Sequence, residues 1–97
     1  MTLPIQVLRD AIADFCRRNR IRRLSLFGSV LRPDFGPASD VDVLVEFESG
    51  HRVGLVARMQ RELDGIIGRT VDLRTPNDLS PRLRNEVLNA ALPQYAA

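Results

Sequence analysis

Three aspartates stand where carboxylates could share work. Asp40 and Asp42 open the stretch DVDVLVEF and Asp72 sits in TVDLR, each flanked by apolar residues that read as strand. Aspartate is disfavoured in strands, and two on one face repel, so something must reward them. Alternate strand residues share a face, which sends Asp40 and Asp42 one way and Val41, Val43 and Val45 the other. Asp72 alternates in the same sense with Val71 and Leu73. If the two strands are neighbours, three carboxylates converge and raise one another's pKa unless cations hold them. Hard oxygen ligands select Mg²⁺ or Mn²⁺ over zinc or copper, and two such ions about 4 Å apart clamp the attacking and leaving oxygens of a phosphoryl-type transfer. An EF-hand does not fit, because the glycine and glutamate of that loop are missing after Asp40.

A dozen residues earlier, LSLFGSVLR offers a place for an anion. A strand that ends at Gly28 and opens a short helix at Ser29 presents backbone N–H groups and a positive dipole end, where a triphosphate could settle. The Ser29 hydroxyl could add a hydrogen bond, and Arg32, one turn on, a cation. Alone, each of these features has a plainer meaning: a turn, a solvated strand edge, an acid at a sheet end. Their order on these elements is what gives them weight.

Composition removes the main competitors. All 14 basic residues among the 97 are arginine, so a Walker A loop, a kinase strand lysine and Schiff-base chemistry are excluded. Asp34-Phe35-Gly36 spells a kinase metal tripeptide but stands without its partners and reads as a turn. One histidine, His51, and one cysteine, Cys16, cannot build a zinc site of His and Cys ligands. Cys16 falls on the apolar side of a helix and is expected to be a small core residue. A formal charge of +2 argues against nucleic acid as the main partner; the local cluster Arg17, Arg18, Arg20, Arg22 and Arg23 is either a phosphate-attracting patch or a solvated helix end. Neither a signal peptide nor an apolar run long enough for a membrane is found, and a cytoplasmic location is expected.

The elements that must position these residues follow from periodicity. Thr2 and Pro4 start a helix over residues 3 to about 19, with Ile5, Leu8, Ile12, Phe15 and Cys16 on one face. Arg23 to Phe27 and Val41 to Phe47 read as strands, separated by a short helical turn and a loop containing Pro33, Gly36 and Pro37. Val53, Leu55, Val56, Met59, Leu63, Ile66 and Ile67 mark a second helix that stops at Gly68. A third strand spans Arg69 to Thr75, and Ser80-Pro81 opens a last helix that Pro93 ends. The expected fold is α+β in one domain over residues 1 to 97: a mixed sheet of three strands or slightly more, with helices on one face.

This combination, G-S-x-x-R, a loop, S-D-x-D-V-L-V and a later V-D-L, resembles the nucleotidyltransferase superfamily that includes DNA polymerase beta, and more closely its minimal nucleotidyltransferases. The matching residues are Gly28, Ser29, Arg32, Ser39, Asp40, Asp42 and Asp72. Pro33 departs from the glycine that many relatives carry after the arginine. The resemblance implies transfer of AMP from ATP with release of pyrophosphate, on two Mg²⁺ ions for which Mn²⁺ could substitute. Asp40 and Asp42 would bridge both ions and Asp72 would serve the acceptor hydroxyl, with Gly28, Ser29, Arg32 and Ser39 on the nucleotide. It also implies a small all-helical HEPN toxin as partner, neutralised by AMP placed on a tyrosine. Alternatives are an antitoxin that acts by docking alone, or transfer to RNA or to a small molecule.

Overall fold

A computed structural model describes residues 8–48 and 56–96. The first turn of the expected N-terminal helix, His51 and the start of the second helix lie outside these. Among the described residues are three α-helices, α1 (Arg9–Arg18), α2 (Val56–Ile67) and α3 (Pro81–Ala90), and four strands, β1 (Ile21–Phe27), β2 (Val41–Phe47), β3 (Val71–Arg74) and β4 (Leu92–Ala96). The sheet order is β3-β2-β1-β4. β1 runs antiparallel to both β2 and β4, while β2 and β3 are parallel, so the sheet is mixed.

The main core lies on one face. Leu24, Leu26, Val41, Val43, Val45, Val71 and Leu73 meet Ile12, Phe15 and Cys16 of α1 and Met59, Leu63 and Ile67 of α2. These helical positions recur every three or four residues, which is why an amphipathic helix suits them. Gly68 takes φ +77° and closes α2 as expected. α2 also finishes the outer edge of the sheet. Asp64 Oδ1 accepts from the Val71 N–H at 2.7 Å and Gln60 Oε1 from the Leu73 N–H at 3.1 Å, so these N–H groups of β3 are already taken and less open to a stray strand.

The sheet differs from expectation in two ways. β4 was not foreseen: Pro93 stops the last helix and then sits inside an edge strand, the sheet position where a missing N–H is tolerated. The other difference is the side taken by α3. Its Val87 joins Leu79, Leu44 and Phe27 in a second, smaller cluster, and Leu44 alternates with Val43 and Val45, so α3 covers the face opposite α1 and α2. Ser80 caps α3 by accepting from the Leu83 N–H.

Cys16 is fully buried, and burial pushes its thiol up to about 12. It should resist alkylation by iodoacetamide at pH 8 in the native chain and react once the chain is denatured. Native labelling would place it in a loose region instead. Among the described residues, no helix is long and apolar enough to cross a membrane.

Candidate functional site

Residues in register across a sheet share a face. Phe27, Asp42 and Asp72 form one such row across β1, β2 and β3, and Ser25, Leu44 and Arg74 form the next. Both rows look toward α3. Asp42 and Asp72 are therefore neighbours on adjacent strands, each half-buried, while Asp40 is exposed on the loop that leads into β2. The Asp42 carboxyl is held above its usual range, by burial first and then by the charges of Asp72 and Asp40; the Ser29 N–H and Arg32 oppose the shift. Unbalanced negative charge on hard oxygens suits a divalent cation.

As the side chains stand, the three acids are not gathered into one grip: among the described residues no trio of His, Cys, Asp or Glu could hold an ion. The expected convergence holds for the backbone positions of Asp42 and Asp72 rather than for all three carboxylates. Two causes are visible. Asp40 lies at the exposed mouth, and Asp72 is engaged by Arg74, whose Nε and Nη2 donate to its two oxygens at 3.1 and 3.2 Å.

Gly28 has φ +73°, and a Cβ built there would run into the Asp42 carboxylate. Only glycine lets the chain turn this way with Asp42 so close. The next N–H, that of Ser29, hydrogen-bonds to Asp42, and the Ser29 hydroxyl reaches toward the Asp40 carbonyl at 3.4 Å. The helix expected here is a single 3-10 turn, Gly28–Leu31. So few aligned peptides sum to little dipole, and any hold on an anion rests on individual N–H groups. The Arg32 N–H closes the turn onto the Ser29 carbonyl at 2.9 Å, while its exposed guanidinium lies 3.7 Å from Asp34. Ser39 works within the loop, where its hydroxyl accepts from the Gly36 N–H at 3.1 Å.

Several residues of the site were missed in the sequence. Arg69, read as the start of a strand, turns back instead. Its Nη2 donates to the carbonyls of Gly36, Pro37 and Ser39 at 2.7, 3.2 and 2.8 Å, and its guanidinium stacks on Phe35 at 4.7 Å. Asp34-Phe35-Gly36 thus belongs to a loop tied to the residues just before β3, and the tie reaches Ser39, the neighbour of Asp40. Arg69→Ala should lower activity about 10-fold, as for other residues that orient ligands from behind, while the fold survives; unchanged activity would show that the loop holds Asp40 unaided. Arg74 was likewise unread. Together with Phe27, Asp42, Asp72, Asp78, Leu79, Ser80 and Leu83 it lines a cavity of about 420 Å³ under α3. Asp78 has a legible signal in T-P-N-D: its carboxylate accepts from the Thr75 N–H and hydroxyl, both at 2.9 Å, which hold its carboxyl below the usual range.

The arginine cluster is largely neutralised. Arg18 binds Asp14 and Glu62, Arg20 binds Glu48, and Arg22 and Arg23 share Glu46. That favours the solvated surface over a phosphate-attracting patch.

Comparison with known proteins bears on this site. A family model described as "Nucleotidyltransferase domain" matches residues 8–92. A Methanocaldococcus jannaschii protein named as a candidate protein adenylyltransferase is 33% identical over 90 residues, covering 93% of this chain and 97% of its own. A solved structure of a candidate minimal nucleotidyltransferase superposes with TM-score 0.73 at 40% identity, over 88% of this chain and 87% of that one. A toxin–antitoxin crystal structure with AMP-PNP shares the fold, with TM-score 0.72 at 20% identity, over 94% of this chain and 75% of that one.

Proposed function

Because this chain belongs to the nucleotidyltransferase domain family, we propose that it moves AMP from ATP to a hydroxyl of a partner protein, a tyrosine of a HEPN-type toxin, and so acts as that toxin's antitoxin. The observation that carries this is the Asp42 carboxylate, pressed against Gly28, bonded by the Ser29 N–H and standing in register with Asp72. The protein adenylyltransferase name of the Methanocaldococcus relative supports the acceptor class, and the toxin–antitoxin structure with AMP-PNP supports the partner and the donor.

On this reading Asp40, Asp42 and Asp72 would hold the divalent cations, Mg²⁺ or Mn²⁺, with Asp72 serving the acceptor side. Such ions neutralise charge on the transferring phosphoryl group and acidify the acceptor hydroxyl. The chain's own part is placement. Gly28 lets backbone approach the phosphates, the Ser29 hydroxyl donates to them, and the Ser29 N–H stays on Asp42. Arg32 adds a positive charge, Ser39 borders the nucleotide, and Asp72 accepts the acceptor's proton as the new O–P bond forms and pyrophosphate leaves. All of this fits a single domain over residues 1 to 97 working in the cytoplasm.

The ungathered acids and the Arg74–Asp72 pair favour a second reading, an antitoxin that neutralises by docking with an idle site. The test is transfer of label from α-labelled ATP to the toxin, with and without Mg²⁺. Mg²⁺-dependent labelling of the toxin is expected. Neutralisation without any labelling would leave docking as the function.

A further inference from the structure

Arg74 stands two residues after Asp72, so both side chains leave β3 on the same face. Its Nε lies 3.1 Å from Oδ1 and its Nη2 3.2 Å from Oδ2. This is the two-pronged geometry in which a guanidinium occupies both oxygens of a carboxylate at once. Those are the oxygens that Asp72 has to offer an ion.

We propose that Arg74 is a positioning residue that competes with the divalent cation for Asp72, holding that carboxylate when no ion is bound and giving it up when one binds. The inference rests on the functional reading above. The same cavity supplies a second seat for the displaced guanidinium. Asp78 lines it as well, both of its bonds from Thr75 fall on Oδ2, and after those bonds the nearby Arg74 charge also draws its carboxyl down. Oδ1 can therefore accept Arg74 without breaking the Thr75 turn. The pair is about half exposed, 46% for Arg74 and 39% for Asp72, so the competition is mild and reversible, in the range of exposed ion pairs. The expected consequence is that the chain alone takes up metal sparingly, because one ligand is already spoken for.

The test is a calorimetric titration with Mn²⁺ alone on the full chain. Arg74→Gln should bind Mn²⁺ about threefold to fivefold more tightly than wild type, the span an exposed pair allows. Removing any nearby positive charge would help a cation somewhat, so the cycle with Asp72→Asn decides. If Arg74 acts through Asp72, the gain from Arg74→Gln shrinks on the Asp72→Asn background to the small effect of removing a charge. Arg74→Lys, which keeps the charge and loses the fork, should fall between wild type and Arg74→Gln. Affinity that is equal or weaker in Arg74→Gln overturns the proposal, as does a gain that is undiminished without Asp72. Failure of the functional reading looks different: wild type would then take up no Mn²⁺, and Asp42→Asn would make no difference.

Discussion

Asp42→Asn is expected to abolish AMP transfer while leaving a chain that melts at least as high as wild type. The loss should be about 10³-fold or more, since charge stabilisation of this kind is worth several kcal/mol and each 1.4 kcal/mol is a factor of ten. The gain in stability has a separate cause. Burial and then the Asp72 charge raise the folded pKa of Asp42, so the folded chain favours the protonated acid and disfavours the ionised one. The stability linked to this group is fully present below the ordinary carboxylate pKa of about 3.9 and is lost as the pH rises through the folded value. In EDTA, the advantage of Asp42→Asn should be visible at pH 7 and vanish near pH 3. A variant that melts well below wild type at pH 7 would make Asp42 a structural residue.

Gly28→Ala should damage both stability and activity, and Gly68→Ala separates the two causes. Both glycines have positive φ, +73° and +77°, but a Cβ at Gly28 meets the Asp42 carboxylate and one at Gly68 meets nothing. The left-handed backbone costs about 1–2 kcal/mol in either variant. In a domain of this size that lowers the melting temperature by about 4–8 °C per kcal/mol. Only Gly28→Ala also displaces the carboxylate, and a shift of about 1 Å at a reacting centre can cost about 10²-fold. Gly68→Ala should therefore melt lower with full activity, whereas Gly28→Ala loses both. Equal activities would show that the close approach of Gly28 to Asp42 has no part in the reaction.

Much of this arrangement was legible in the chain because it is local. β2 falls where alternation places it, Val41 to Phe47, and the parity that sets Asp42 apart from Val41 and Val43 is the parity of the sheet. Ser80 caps α3 and Gly68 ends α2 as their residue types require. What escaped depends on distant partners. Arg69 reads as strand because nothing beside it reveals that three loop carbonyls some 30 residues upstream will claim its guanidinium. The Arg74–Asp72 pair is only two residues apart in sequence, yet alternation shows just that they share a face and says nothing of a bond between them. α3 lies on the far face because Leu44 and Phe27 leave an apolar patch there that only the assembled sheet exposes. β4 was hidden by its proline, which signals an end to helix and says little about a following edge strand.

Asp40, Asp42 and Asp72 are expected to close on divalent cations beside a nucleotide at Gly28 and Ser29. Crystals grown with Mn²⁺ and AMP-PNP, with anomalous scattering recorded to locate manganese, test it directly. Anomalous peaks are expected within bonding distance of all three carboxylates, with Arg74 turned away from Asp72 and phosphate oxygens against the Ser29 hydroxyl. Manganese bound elsewhere, or Asp72 still gripped by Arg74 with nucleotide in place, would contradict it.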